Sequence, residues 1–160
     1  MEDMKPLSAE IAPERRCWLA ELARAPRAML ESALVAVCGA TGLPAFDWLR
    51  APQTGLAMVR GRIGGTGDPF NVGETTVTRA VLRLKSPDGA VGIAYQLGRD
   101  KRRAELAALA DAMLQMPHWQ QALHLQLIEP LVRSRDDARR ERAASTASTR
   151  VDFYTMVRGE

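Results

Sequence analysis

Two cysteines, two histidines and eight aromatic residues are all that the 160-residue chain has of the side chains most often used for metal binding, disulfides or stacking. Cys17 and Cys38 cannot build a disulfide framework. Both sit in helix-like apolar runs, where they read as buried thiols or as a single pair. His118 and His124 are six apart, on different faces of a helix, and no cluster of Cys or carboxylates completes a zinc site around them. An aromatic content of 5% argues against a stacking platform for single-stranded nucleic acid. Long apolar runs are missing too. The uncharged stretches 32–46 and 112–128 are interrupted, the first by Gly39, Gly42 and Pro44, the second by Pro117, both His and several Gln. Neither is a continuous span of about 20 apolar residues, so a transmembrane helix is excluded and no membrane role is expected. The opening Met-Glu-Asp-Met-Lys carries no apolar signal core, so a reducing cytoplasm is the expected compartment.

What is present is an ordinary globular balance, 46% hydrophobic and 26% charged, with a net charge of +3. One domain, 1–160, is expected, with residues 1–12 as a flexible N-terminus. Pro13 suits the first turn of a helix. Trp18, Leu22, Ala25 and Met29 then recur at helical spacing, and Pro26 divides the run into helices at 13–24 and 26–38, stopped by Gly39. Phe46 to Arg50 reads as a short strand, Pro52 to Gly55 as a turn and Leu56 to Ile63 as another strand. Over Thr75 to Lys85, Thr76, Thr78, Ala80, Leu82 and Leu84 share one face and Val77, Arg79, Val81 and Arg83 the other. Ser86-Pro-Asp-Gly89 is a turn, and Val91, Ile93, Tyr95 and Leu97 alternate in a following strand. The short connections make this an antiparallel meander.

Asp100 caps a helix carrying Leu106, Leu109, Ala110, Met113 and Leu114, which Pro117 ends. Another helix from about 118 bears Trp119, Leu123, Leu127, Leu131 and Val132, with a kink or division expected at Pro130. From Arg133 to Arg142 the apolar stripe vanishes: five Arg stand against two Asp and one Glu. Ala143 to Thr149 has linker composition. Arg150 to Arg158 is rich in apolar and β-forming residues, so 133–160 reads as a partner-binding C-terminal arm. The fold class is α+β: an antiparallel meander sheet with N-terminal and C-terminal helices packed on it and an extended arm.

Five glycines fall between 61 and 73, inside Arg60-Gly-Arg-Ile-Gly-Gly-Thr-Gly-Asp-Pro-Phe-Asn-Val-Gly-Glu74. Glycines admit positive φ and let a ligand approach main-chain N–H groups. Arg60 and Arg62 enter the loop and Arg79 follows on the next strand, each a bidentate fork for phosphate or carboxylate. Arg60, Arg62, Gly64, Gly65, Thr66, Gly67 and Arg79 are therefore the candidates for an anion site. The competing reading is a tight strand connection that only Gly permits. No Gly-Lys-Ser/Thr follows, so the loop is not a Walker loop. A strand follows rather than a helix, so it is not a dinucleotide fingerprint. No Ser sits in a nucleophile elbow. Glu74 adjoins glycine, and capping explains Asp100 and Glu105 more simply than acid–base catalysis. No catalytic residue and no metal ligand is assigned.

Several pieces in register resemble the PhnG family, a component of the bacterial carbon–phosphorus lyase system. They are Thr54-Gly-Leu-Ala-Met-Val-Arg-Gly-Arg-Ile-Gly-Gly-Thr-Gly67 with Phe70 and Gly73, then Thr76-Val-Thr-Arg-Ala80 with Arg83-Leu84. Glu14-Arg-Arg-Cys-Trp-Leu, Gly98-Arg-Asp-Lys101 with Ala104-Glu-Leu, and Val151-Asp-Phe-Tyr-Thr-Met-Val-Arg-Gly159 complete the set, which spans nearly the whole chain. Arg103 stands where His is expected in this family, so no proton-transfer role is carried onto it.

The resemblance implies a part in organic phosphonate catabolism. PhnG proteins are required, with subunits H, I and L of that system, when methylphosphonate displaces adenine from ATP at the ribose C1′ carbon. The products are adenine and α-D-ribose 1-methylphosphonate 5-triphosphate. It implies subunit I, the nucleosidase-like component, as the most intimate partner, with H and J in a core complex. It implies no cofactor bound by this chain, ATP being a substrate of the complex; the iron–sulfur chemistry belongs to J, and this chain has too few cysteines for such a cluster. Arg99, Lys101, Val151, Phe153, Tyr154, Met156 and Arg158 are the interface candidates. Three readings follow: an accessory subunit of a transferase complex, not catalytic alone; a direct ligand-binding contributor through the glycine loop; and a small basic nucleic-acid-binding module.

Overall fold

The computed structural model describes residues 13–87 and 89–149. In chain order these form α1 (Pro13–Leu22), α2 (Arg27–Cys38), β1 (Phe46–Gly61), β2 (Phe70–Leu84), β3 (Val91–Leu97), α3 (Lys101–Leu114), α4 (Pro117–Leu123) and α5 (Glu129–Ser148). The strands make one antiparallel sheet in the order β1-β2-β3, the expected α+β meander.

Alternation along β2 decides which face is covered. Thr78, Ala80, Leu82 and Leu84 are buried under the helices, while Arg79 and Arg83 are exposed on the opposite face. On β3, Gly92, Ala94 and Gln96 are buried and Tyr95 and Leu97 exposed. α3 is the centre of the core. Every residue from Leu106 to Leu114 is buried, because the helix meets the sheet on one side and α1, α2 and α4 on the others. Its alanines let neighbours approach closely. The tightest approach is at Gly92, where an added Cβ would lie 1.9 Å from the Ala108 carbonyl oxygen and 2.9 Å from Ala112 Cβ.

Four expectations change. The turn at Pro52 to Gly55 is absent: β1 runs through it as one strand, with register shifts between Trp48 and Arg50 and between Arg50 and Gln53. β1 is an edge strand, where a proline lacking N–H is accommodated at bulges. β2 starts at Phe70 rather than Thr75. Ala143 to Thr149 is not a linker, since α5 continues to Ser148. Alanine favours helix, and hydroxyls turn back onto the backbone: Thr146 Oγ1 donates to Arg142 O at 2.9 Å and Ser148 Oγ to Ser145 O at 2.7 Å. The kink expected at Pro130 takes the form of a π turn at His124–Ile128 immediately before α5. Pro130 offers no N–H to the carbonyl four residues back, and a locally widened helix absorbs the defect.

Cys17 is exposed and Cys38 buried, both free thiols. The buried-thiol reading therefore holds for Cys38 alone, whose pKa burial pushes up.

Gly92→Ala should destabilise the fold by about 3 kcal/mol, because the clashing atom belongs to the backbone of a packed helix. Urea unfolding followed by circular dichroism measures this; a loss below about 0.5 kcal/mol would show that α3 slides freely on the sheet.

Candidate functional site

Three places gather the polar side chains that bear on a site: a buried clip under the sheet, an outer depression, and the tip of a projecting ribbon. The clip centres on Asp111, fully buried within α3. Its carboxylate accepts from Arg15 Nη2 at 2.7 Å, Arg15 Nε at 3.2 Å, Trp18 Nε1 at 2.8 Å and the Ile93 main-chain N–H at 2.9 Å. Arg15 also donates to Val91 O at 2.9 Å. One carboxylate thus joins α1, β3 and α3, and its charge is matched by a guanidinium and neutral donors. Sequence reasoning missed it. The signal it offered was an acid inside Leu106-Ala-Ala-Leu-Ala-Asp-Ala-Met-Leu114, where helical burial leaves no water for a charge.

Arg103 has a comparable structural task. Its Nε donates to Ala25 O at 2.7 Å and its Nη2 to Ala23 O at 3.2 Å, securing the α1–α2 connection. Asp100 caps α3, accepting from the Arg103 N–H at 2.9 Å, as expected. The two histidines lie against different tryptophans: His124 is edge-on to Trp18 and His118 is tilted over Trp119. Among the described residues no group of three or more His, Cys, Asp or Glu is placed to hold a metal ion.

The glycine loop joins β1 and β2 at the far end of a two-stranded ribbon. β3 pairs with β2 only from Val77 to Arg83, so β1 from Leu56 to Gly61 and β2 from Phe70 to Thr76 extend beyond it. Leu56, Met58, Val59, Ile63, Phe70 and Val72 are all exposed there. Strand alternation puts Leu56 and Met58 on one face and Val59 on the other. A two-stranded ribbon with apolar groups on both faces is marginal by itself in water.

At the tip, Gly64 and Gly65 have φ of 63° and 79°, conformations that other residues rarely adopt. The N–H groups of Thr66 and Gly67 both turn inward to the Ile63 carbonyl, so this turn uses two of the amides considered for an anion cradle. Arg60 and Arg62 flank the loop and are exposed.

Arg79 is not with them. It registers with Gln53 on β1 and Tyr95 on β3, about 30 Å along the strand from Phe70. There it lines an open depression of about 290 Å³ on the uncovered sheet face, with Gln53, Thr54, Val77 and Tyr95. The seven anion candidates therefore divide into six at the ribbon tip and one on the sheet. Arg99 and Lys101 are exposed around the start of α3, and neither is in an ion pair with a described residue. Val151, Phe153, Tyr154, Met156 and Arg158 lie outside the described residues.

The arginines of α5 mostly face acids of their own helix. Arg133 meets Glu129 at 2.9 Å, Arg140 meets Asp137 at 2.6 Å, and Arg135 meets Asp136 at 2.9 Å and also the buried Glu21 of α1. This is the pattern of a solvated helix pinned at one point.

These features define a small α+β protein with a one-sided sheet and an uncovered apolar ribbon. The chain belongs to the PhnG family: the family model described as "Phosphonate metabolism protein PhnG" matches residues 13–159. It is 48% identical over 151 residues to the "Alpha-D-ribose 1-methylphosphonate 5-triphosphate synthase subunit PhnG" of Rhizobium meliloti (strain 1021), covering 92% of this chain and 90% of that protein.

Asp111→Ala should cost about 3 kcal/mol, the order found when one partner of a buried ion pair is removed. Thermal unfolding of the variant against the unaltered chain measures it. An unchanged midpoint would mean that water replaces the carboxylate and that the clip contributes little.

Proposed function

We propose that this chain is a subunit of an α-D-ribose 1-methylphosphonate 5-triphosphate synthase, required by the complex and not catalytic alone. The relative from Rhizobium meliloti bears that complex's name over nearly equal lengths of chain, which supports the reading. The carrying observation is the ribbon. Its exposed apolar residues on both faces are those of a part completed by another protein rather than by its own core. Subunits H, I and L act with this chain when methylphosphonate displaces adenine from ATP; subunit I is the intimate partner, and J shares the core complex. The segment 151–158 and the far half of α5 serve as an arm on a partner, because a helix with so little apolar surface has almost nothing to bury against its own chain.

A second reading keeps one observation in its favour. Arg60 and Arg62 stand beside a loop in which Gly64 and Gly65 hold positive φ, so the tip can present positive charge to an anionic substrate at a subunit boundary. Under this reading an arginine offsets charge in the transition state.

Adenine release from ATP and methylphosphonate tests both. Reactions containing subunits H, I and L should release adenine only when this chain is added. Equal release without it would overturn the subunit role. In the complete mixture, Arg62→Ala should leave turnover within about 2-fold if the tip is structural. A fall of about 100-fold with assembly intact, the size expected for loss of one charge-stabilising donor, would establish the ligand-contact reading instead.

A further inference from the structure

An open sheet has two edges, and an unpaired edge is a template for another strand unless something blunts it. β1 carries Pro52 and its bulges on one edge. On β3 the hydrogen-bond phase decides which residues face outward. The Leu84 N–H donates to Ala90 O at 3.0 Å and the Gly98 N–H to Thr76 O at 2.9 Å. Alternation therefore aims the main-chain groups of Gly92, Ala94 and Gln96 at β2, and those of Val91, Ile93, Tyr95 and Leu97 at the open edge.

Side chains cap the first part of that edge. Val91 O accepts from Arg15 Nη2 and Gln115 Nε2, both at 2.9 Å, and the Ile93 N–H donates to Asp111 at 2.9 Å. Capping stops there. Among the described residues no group meets the main-chain N–H or C=O of Tyr95 or Leu97. Beside them runs a groove of about 380 Å³, with Ala20 of α1 and Ala23 and Arg24 of the turn after it on one flank and Ala57, Val77, Tyr95 and Leu97 on the other. The two alanines leave room for an incoming backbone. Arg24, Arg99 and Lys101 make this end positive, and none is in an ion pair with a described residue.

We propose that the Tyr95–Leu97 edge of β3 is a strand-acceptor site, filled by an extended segment of another subunit of the synthase complex. This rests on the subunit reading above. The incoming segment pairs its main chain with Tyr95 and Leu97, sets an apolar side chain beside Ala20 and Ala23, and carries Asp or Glu toward Arg24 and Arg99. A second copy of this chain fits poorly, because each edge would bring the same three cations to the other. This chain's own terminus also fits poorly. α5 is pinned to α1 at Arg135 and Glu21, and Thr149 lies about 21 Å further along the helix. Returning that distance takes roughly six extended residues, which consumes the β-forming Val151, Phe153 and Tyr154 as tether.

Hydrogen exchange on the free chain and on the chain assembled with the other synthase subunits tests this. The Tyr95 and Leu97 amides should exchange freely in the free chain and about 100-fold more slowly in the complex. The Ile93 amide, held by Asp111, should be slow in both. Free exchange of Tyr95 and Leu97 within an assembled complex would overturn the site alone; failure of the unaltered chain to assemble would overturn the subunit reading and the site together. Protection already present in the free chain would overturn it as well, pointing to the chain's own terminus if independent of concentration and to a second copy if not. Tyr95→Pro removes only an outward N–H and leaves the bonds to β2 in place. It should fold with a near-normal melting curve and lose the other subunits. A folded Tyr95→Pro chain that assembles normally would contradict the proposal, and if the variant unfolds, the exchange measurement decides.

Discussion

A 14-residue helix is about 21 Å long and a 15-residue strand about 50 Å. α3 and β2 have those lengths, and the rest of the molecule follows from the mismatch. The helical layer is built around α3, so it covers the sheet only where β3 also lies. Within that overlap the packing is close enough that Gly92 admits no Cβ and every residue of the second half of α3 is buried. Beyond it, β1 and β2 continue as a ribbon in which no residue is buried, and only Ala57 shares a groove with α1. The two halves of β2 thus differ in physical character: Thr78 to Leu84 belongs to the core and Phe70 to Thr76 does not, while β1 has no buried residue along its length.

The polar groups follow the same division. Under the sheet, Asp111 ties α1, β3 and α3 together and uses the outward main-chain groups at the start of β3 in doing so. Blunting of the edge is a by-product of that clip, and it ends where the clip ends, at Ile93. Away from the core, Arg60, Arg62, Arg79, Arg99 and Lys101 are exposed and spread over the ribbon tip, the open sheet face and the start of α3. Such a distribution matches a family whose relative is named as one subunit of a synthase, a protein whose surfaces take their meaning from neighbours.

Much of this was legible from residues alone. The helix pair split at Pro26, the strand Val91–Leu97, the cap at Asp100 and the two faces of β2 each followed from local periodicity and turn chemistry. Pro52 misled, because a proline between apolar runs reads as a turn while an edge strand can take it at a bulge. Ala143 to Thr149 misled because small polar composition does not separate a linker from an exposed helix whose hydroxyls bond backward. The anion candidates were joined by proximity in sequence, whereas strand geometry places Arg79 tens of ångströms from the loop tip. Asp111 was invisible as a binding group because its partners, Arg15, Trp18 and Ile93, are far away along the chain and only the tertiary fold brings them to one carboxylate.

Completion of the ribbon by another protein would leave its main chain open in the free chain and closed in the complex. Trypsin tests it directly, since Arg60 and Arg62 lie at the end of the ribbon and cleavage needs an open backbone. In the free chain these bonds should be cut first while circular dichroism shows α3 and the other helices intact. In the chain assembled with its partner subunits they should resist the enzyme. A ribbon equally resistant in the free chain would contradict the claim, because it would then be held by its own fold and need no partner.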